Sequence, residues 1–183
     1  SMQIGFLTKL DANTGDTLWS QTAQFGISYS GVAVSPAGNG YIIGAFGNKV
    51  QIGYLAGFSA DSGATTWQKQ FGNGNYVPTN VSAEADGNAV FVGGLPGAVL
   101  PSPTSGPDLF VAKIDPTGKG IWLQTFGVGK EWEAEDSGTS LNPYVVADDQ
   151  NNIFVAGITS GAFPGFQNPS RLGEAFVAKF ASQ

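Results

Sequence analysis

One long stretch of sequence recurs along the chain and constrains the fold more than any other feature. It reads LFVAKIDPTGKGIWLQTFG over Leu109–Gly127, FLTKLDANTGDTLWSQTAQFG over Phe6–Gly26 and YLAGFSADSGATTWQKQFG over Tyr54–Gly72, and its first part returns as AFVAKFASQ at Ala175–Gln183. Each copy has an alternating apolar strand, a tight turn ending in glycine, and a second strand whose tryptophan lies four residues beyond that glycine. This pattern predicts a β-hairpin in every copy. The turn glycines are Gly15, Gly63 and Gly118, and the tryptophans are Trp19, Trp67 and Trp122.

A second hairpin lies between these copies and also recurs. It covers Gly31–Ala45, Asn80–Gly94 and Tyr144–Ile158. Its aligned turns are Gly38-Asn39, Gly87-Asn88 and Asn151-Asn152, and both residue types tolerate the positive φ of a hairpin turn. Two hairpins make a four-stranded unit, and the repeated tryptophans are 48 and 55 residues apart. This period, with four short strands per unit, predicts β-propeller blades.

The predicted fold is therefore all-β, with antiparallel four-stranded propeller blades in a single domain over 1–183 and no helix. We name the strands of a blade A to D from the inside outwards. The chain holds about three blades' worth: C and D strands in 6–26, blades at 31–72 and 80–127, and A, B and C strands in 144–180. Closed propellers have roughly four or more blades. The chain is thus a partial propeller, or one that self-association completes when its last three strands accept the first D strand of a second copy.

Composition excludes several classes of function. The net charge is −6 with eight Lys and Arg residues, and there is no basic cluster, so a nucleic-acid partner is not expected. The chain has no Cys and no His, which removes Cys/His zinc sites and Ser-His-Asp or Cys-His catalysis. The sequence shows no signal-peptide pattern and no long apolar run, so membrane insertion is not expected either.

Residues 108–180 resemble the bacterial β-propeller repeat called SBBP. The resemblance rests on the LFVAKIDPTGKGIW hairpin, the DDQNNIFVAGITSGAFPGF segment and the final AFVAKF strand. It implies a propeller and a secreted or cell-surface setting, and it brings no catalytic residues. The match is looser over 5–94, where Gly57 replaces the repeated lysine of Lys9, Lys113 and Lys179.

A weaker resemblance concerns LDANTGDTLW and FSADSGATTW, which are similar to hairpins of quinoprotein dehydrogenase propellers. Those enzymes bind a quinone cofactor and a metal ion in a much longer chain. This sequence has no vicinal Cys pair and too few blades to surround a cofactor. No cofactor is therefore expected.

The repeated tryptophans have two interpretations. Trp19, Trp67 and Trp122 are a candidate set for stacking on sugars, but their identical repeat position favours the same packing role in each blade. Contact between neighbouring blades is the preferred interpretation.

Two sets of loops vary in length between repeats, and a propeller places both sets on one face. They are the D–A loops (26–31, 72–80 and 127–143) and the B–C loops (46–53, 94–108 and 159–174). We predict that a ligand binds on this face, because variable loops on a rigid scaffold carry most binding residues. The candidate ligand-binding residues are Tyr76, Asp108, Trp132, Glu133, Phe166 and Arg171.

Trp132 lies outside the repeat, in the acidic segment GKEWEAEDSGTS. An aromatic ring between carboxylates can stack on a sugar ring while the acids accept its hydroxyls or hold a cation. The alternative is a solvated acidic loop in which Trp132 folds back over the edge of a blade. Glycoside hydrolysis uses paired carboxylates, but these acids all fall in one short loop.

The turn around Asp148, Asp149 and Asn151 has oxygen ligands at spacings similar to those of calcium loops. The aligned SPAGN turn contains no acid, so turn chemistry alone accounts for the pattern and calcium is optional.

These observations predict a non-catalytic interaction or scaffold module, outside the cell or on its surface, with an unidentified protein or glycan ligand. The alternative is a carbohydrate-binding or carbohydrate-cleaving propeller.

Overall fold

A computed structural model describes residues 5–24, 26–47, 52–72, 77–95, 108–126, 143–159 and 174–180. The described residues form strands and turns and contain no helix. The predicted all-β class is therefore confirmed. The strands are β1 (Phe6–Leu10), β2 (Thr17–Thr22), β3 (Ile27–Val34), β4 (Asn39–Phe46), β5 (Ile52–Ser59), β6 (Thr65–Phe71), β7 (Val77–Ala83), β8 (Ala89–Leu95), β9 (Asp108–Ile114), β10 (Gly120–Phe126), β11 (Tyr144–Ala147), β12 (Ile153–Thr159) and β13 (Glu174–Phe180).

The strands form four antiparallel sheets in which sequence neighbours pair with each other. Sheet I contains β1 and β2, sheet II contains β3 to β6, sheet III contains β7 to β10, and sheet IV contains β11 to β13. This is the strand order that the repeat predicts, with β3, β7 and β11 as the A strands. A closed propeller ring stays a prediction.

The turns between strands have the backbone that the sequence pattern requires. Gly38 and Gly87 have φ values of 82° and 92°, and Asn151, at the aligned position, has 60°. These values lie in the left-handed region, where a side chain other than Gly or Asn is disfavoured. The predicted A–B turns are confirmed.

Each pair of neighbouring sheets encloses one hydrophobic cluster. Phe58 of sheet II packs with Trp19 of sheet I, and Tyr41 of sheet II packs with Phe91 of sheet III. Val92 of sheet III lies in the cluster shared with sheet IV. We call the side of a sheet that points to the next sheet along the chain its forward face, and the opposite side its backward face. The core therefore runs through a row of sheets stacked in chain order.

The tryptophans lie in these interfaces, which confirms the packing interpretation. The Trp19 ring is 6.1 Å from that of Phe58 in the next sheet, in an edge-to-face arrangement. A Cβ atom on Gly118 of sheet III would lie 2.8 Å from the Trp67 ring of sheet II. Trp122 stacks on Phe180 of sheet IV with ring centroids 6.4 Å apart.

Two strands start earlier than the sequence pattern predicts. β3 begins at Ile27 and β7 at Val77, whereas regular alternation begins at Gly31 and Asn80. The pairing register shifts between Tyr29 and Gly31 in β3, and at the corresponding place in β7. A β-bulge adds one residue to a strand and interrupts its alternation, so the sequence pattern predicts a loop where the first part of each strand lies.

Candidate functional site

A polar cleft of about 400 Å³ lies where the inner strands β3, β7 and β11 begin. This is the end of the sheets to which the D–A and B–C loops connect, so the cleft lies at the predicted ligand-binding end. Its lining includes Ser28, Ser30, Pro78, Thr79, Asn80 and Tyr144.

The bulges of β3 and β7 place two hydroxyl groups in this cleft. Ser30 and Thr79 are the extra residues of the two bulges, and they occupy the same position in the repeat. Ser30 Oγ donates to the carbonyl of Pro78 at 2.9 Å, and Thr79 Oγ1 lies 3.4 Å from the carbonyl oxygen of Pro143. A bulge re-aims a side chain, and here it turns each hydroxyl toward the next inner strand.

Side-chain oxygens also join β7 to sheet IV along the inner edge. Asn80 Oδ1 accepts a hydrogen bond from the backbone N–H of Val145 at 2.9 Å. Ser82 Oγ accepts from the N–H of Ala147, also at 2.9 Å. β11 is an edge strand of sheet IV, so these outward-pointing N–H groups have no hydrogen-bond partner within the described strands of the sheet itself.

The described lining of the cleft is chemically neutral. Of the described residues that line it, only Tyr144 has an ionisable side chain, and that side chain is exposed. Within the described parts of the chain, no three His, Cys, Asp or Glu side chains lie close enough together to hold a metal ion. The cleft therefore offers hydroxyl, amide and carbonyl groups and one aromatic ring, a set that suits a neutral polar ligand.

A second cleft of about 410 Å³ opens between sheets I and II. Tyr29 and Tyr54 stack there with centroids 6.0 Å apart, and the Tyr54 hydroxyl donates to Gln68 Oε1 at 3.3 Å. Burial raises the pKa of the Tyr54 hydroxyl to about 12. The lining also includes Thr22, Gln24 and Thr66, so amide and hydroxyl groups surround the tyrosine pair.

The proposed calcium turn is held by its own hydrogen bonds. Asp148 Oδ1 accepts the N–H groups of Gln150 and Asn152 at 2.9 and 2.8 Å, and Oδ2 accepts Asn152 Nδ2 at 2.9 Å. The Asn152 side chain and these N–H groups lower the pKa of Asp148. Asn151 Oδ1 accepts the N–H of Ala85 in sheet III at 2.9 Å. Asp149 is exposed.

The described residues contain one fully buried carboxylate, Glu84, whose exposed fraction is 0%. Lys113 Nζ donates to its Oε1 at 3.0 Å and lies 2.8 Å from its Oε2. Burial raises the pKa of Glu84, and Lys113 opposes the rise. The aligned positions hold Asp148 with Lys179 in sheet IV, and neither charge in sheet II, where Ser35 and Gly57 stand. In the three sheets that contain both positions, the acid and the lysine are therefore present or absent together, which indicates a structural ion pair.

Five of the six predicted ligand-binding residues lie outside the described residues: Tyr76, Trp132, Glu133, Phe166 and Arg171. Only the backbone of Asp108 is described, at the start of β9 opposite Leu95. Sequence reasoning missed Ser30 and Thr79. The available signal was a hydroxyl residue directly before the alternating part of two aligned strands.

Among the described residues, none forms a helix long and apolar enough to cross a membrane.

Comparisons with known proteins find a similarity of fold to a solved structure and point to no activity. No family model matches the chain, and no curated protein matches it. The chain is similar to the crystal structure of a protein of unknown function from Bacteroides caccae, with a TM-score of 0.51 and 15% identity over 99% of this chain. The chain spans 59% of the length of that protein. At this identity the similarity concerns the fold alone.

Proposed function

We propose that this chain is a non-catalytic interaction or scaffold module built from propeller blades. The observation that carries the proposal is the use of polar groups in the inner-strand cleft. Ser30 and Asn80 are committed to bonds with the neighbouring strand, and Tyr144 is the one ionisable residue among the described residues of the lining. A hydrolase needs a nucleophile with a base, or paired carboxylates, and the described lining of this cleft contains neither.

The propeller part of the proposal rests on how the sheets stack. Hydrogen bonds join β3 to β7 and β7 to β11, so the A strands of three successive sheets lie side by side. In a propeller the A strands line the central channel, and their neighbours follow outwards in chain order. The resemblance of residues 108–180 to the SBBP repeat supports the same architecture and an extracellular or cell-surface location.

A panel of polysaccharides tests the non-catalytic assignment. The protein is incubated with each polymer, and reducing sugar is measured over time. We expect no release above the rate of a heat-denatured sample. Release that follows native protein concentration would overturn the assignment.

Carbohydrate binding is the second candidate function, and the Tyr29–Tyr54 cleft favours it. Aromatic rings next to amide and hydroxyl groups match the apolar faces and hydroxyls of a sugar. Gln68 is exposed and supports the Tyr54 hydroxyl, so Gln68→Ala tests the cleft without opening the core.

A glycan array separates the two candidates and the proposed sites. Binding that Gln68→Ala weakens identifies the tyrosine cleft, and binding that Tyr144→Ala weakens identifies the inner-strand cleft. Binding lost in Trp132→Ala or Glu133→Ala would assign the ligand to the predicted loop face. No glycan binding at all leaves the scaffold proposal in place and rejects the carbohydrate candidate.

A further inference from the structure

The inner strand of sheet II has an uncovered backward face. Val32, Val81 and Val145 occupy the same position in β3, β7 and β11. Val81 packs against sheet II and is only 8% exposed, and Val145 packs against sheet III and is only 7% exposed. Val32, in contrast, is 53% exposed. The described part of sheet I consists of β1 and β2, which are C and D strands, so no inner strand among the described residues of sheet I covers Val32.

The inner strand of sheet IV has an uncovered forward face. Tyr144 and Val146 of β11 are 65% and 58% exposed. Their counterparts Asn80 and Ser82 in β7 contact the next inner strand directly, through bonds to Val145 and Ala147. In sheet II the equivalent forward position, Ala33, packs in the cluster shared with sheet III. Forward positions of inner strands are therefore contact positions in both of the interfaces that two described inner strands form.

We propose that β11 of a second copy of this chain packs against β3 and places an inner strand beside the described strands of sheet I. Tyr144 and Val146 of one copy would then face Val32 and Val34 of the other. All four side chains are apolar or aromatic and half or more exposed. Exposed apolar surface of this kind marks an interaction site, because leaving it in water is unfavourable.

The internal interfaces show that this pairing fits. Gly31 and Val81 hold the corresponding forward and backward positions in β3 and β7, and a Cβ atom on Gly31 would lie 3.3 Å from Val81 Cγ1. The two strands therefore lie close enough for their side chains to touch. One copy carries one uncovered forward face, on β11, and one uncovered backward face, on β3. Reciprocal docking of two copies covers both faces, so assembly stops at two copies.

Docking has one steric consequence at the outer strands. β1 and β13 are both C strands, since Lys9 and Lys179 align, so one of the two moves aside when sheet IV of one copy joins sheet I of the other. The four contact residues lie on inner strands. Their pairing is the same whichever C strand is displaced.

The test uses two single variants and their mixture, with mass measured by light scattering at micromolar concentration. The wild-type chain is expected at twice 18.9 kDa. Val34→Glu places a charge on the uncovered face of β3, and Val146→Glu places a charge on the uncovered face of β11. Each variant alone is therefore expected at 18.9 kDa. An equimolar mixture retains one intact interface, between Val146 of the first variant and Val34 of the second. The mixture is therefore expected to recover the doubled mass.

Controls keep the proposal falsifiable. Leu123→Glu changes a comparably exposed apolar residue of β10 and is expected to leave the doubled mass unchanged. Val32→Lys and Tyr144→Lys replace the first two variants if either fails to show a cooperative melt. A monomeric wild-type chain overturns the proposal. A doubled mass for Val34→Glu alone also overturns it, because that result means that the copies meet through a surface other than this face of β3.

Discussion

At the residue scale, position 57 has glycine where the aligned strands have lysine. This difference changes which group binds the turn of the next sheet. In sheet I, Lys9 Nζ donates to the carbonyl of Ala60 at 2.9 Å. In sheet II, Trp67 Nε1 donates instead to the carbonyl of Pro116 at 2.8 Å. A Cβ atom on Gly57 would lie 2.3 Å from Trp67 Nε1, so the indole occupies the space of a side chain at this position. The repeat therefore keeps the contact and changes its donor.

Gly118→Ala and Gly15→Ala form a matched pair that measures the packing of Trp67. Both glycines have φ of 77°, so both variants carry a backbone penalty of roughly 1–2 kcal/mol. A new Cβ meets nothing within 4 Å at Gly15 but lies 2.8 Å from the Trp67 ring at Gly118. We expect Gly118→Ala to lower the free energy of unfolding more, by about a further 1–3 kcal/mol. Urea denaturation measures both.

The double variant Trp67→Ala with Gly118→Ala supplies the control. Relative to Trp67→Ala alone, Gly118→Ala should cost no more than Gly15→Ala does in the wild-type chain. An unchanged penalty would mean that the indole does not limit this turn.

The raised pKa of Tyr41 predicts that the folded protein loses stability in alkaline solution. Burial first, and then the charges of Asp115, Asp86 and Glu84, raise its pKa from 10.0 to about 12, and its hydroxyl donates to the carbonyl of Gly87. Because the pKa of Tyr41 is higher in the folded state than in the unfolded state, its protonated hydroxyl contributes to the free energy of unfolding. This contribution is fully present below pH 10 and is lost as the pH rises toward 12. Melting temperature across this range measures the loss.

Tyr41→Phe is the reference for this measurement, because Tyr54 also has a pKa of about 12 and contributes to the wild-type loss. The variant should be less stable than wild type below pH 10, and the gap should narrow above it. A constant gap would show that the Tyr41 hydroxyl is free to ionise in the folded state.

At the element scale, the inner strands are joined by side chains rather than by a shared sheet. β7 reaches β11 through Asn80 and Ser82, and β3 reaches β7 through Ser30. These bonds give neighbouring sheets a fixed position at their inner edges. The outer edges are fixed by tryptophan packing instead.

Asn80 tests the contribution of these bonds. In Asn80→Ala the N–H of buried Val145 loses its acceptor, which should lower the free energy of unfolding by about 1–3 kcal/mol. Asn80→Asp retains an acceptor oxygen of the same reach and should cost less. Equal losses in the two variants, measured by urea denaturation, would show that the bond does not stabilise the fold.

The β11–β12 turn is expected to be insensitive to calcium. Three N–H groups already occupy the two carboxylate oxygens of Asp148, so calcium would have to replace them. Melting temperatures with millimolar calcium and with a chelator should agree. A calcium-dependent increase that Asp148→Asn abolishes would establish a metal site in this turn.

At the scale of the whole molecule, burial is greatest in the third sheet. Val90 and Val92 on one face of β8 and Phe91 on the other are all 0% exposed, because sheets II and IV cover both faces. Sheet I is covered on its forward face, while Phe6 and Leu10 on its backward face are exposed. Local stability should therefore fall from sheet III toward sheet I.

Hydrogen exchange measures this gradient. Backbone amides of β8 and β9 should exchange most slowly, and those of β1 and β2 fastest, because opening a sheet costs more when both of its faces are buried. Exchange at β1 that is as slow as at β8 would contradict this order. Repeating the measurement on the Val34→Glu variant removes any protection that a second copy adds.

Local chemistry made the strands and turns predictable from sequence. Alternation of apolar residues has the period of a strand, and a glycine or asparagine at Gly38, Gly87 and Asn151 specifies a turn, whatever lies elsewhere in the chain. The number of strands, their order and the packing role of the tryptophans followed from these signals and their repetition.

The tertiary structure alone decided the cleft and the hydrogen-bond partners between sheets. Ser30 bonds to Pro78 across 48 residues, and Asn151 bonds to Ala85 across 66, distances over which no local pattern specifies a partner. The bulges that aim Ser30 and Thr79 depend on how β3 and β7 pair, and the exposure of Val32 depends on which strands sheet I contains. Alternation sets the face on which a side chain lies, but only the stacking of sheets determines what covers that face.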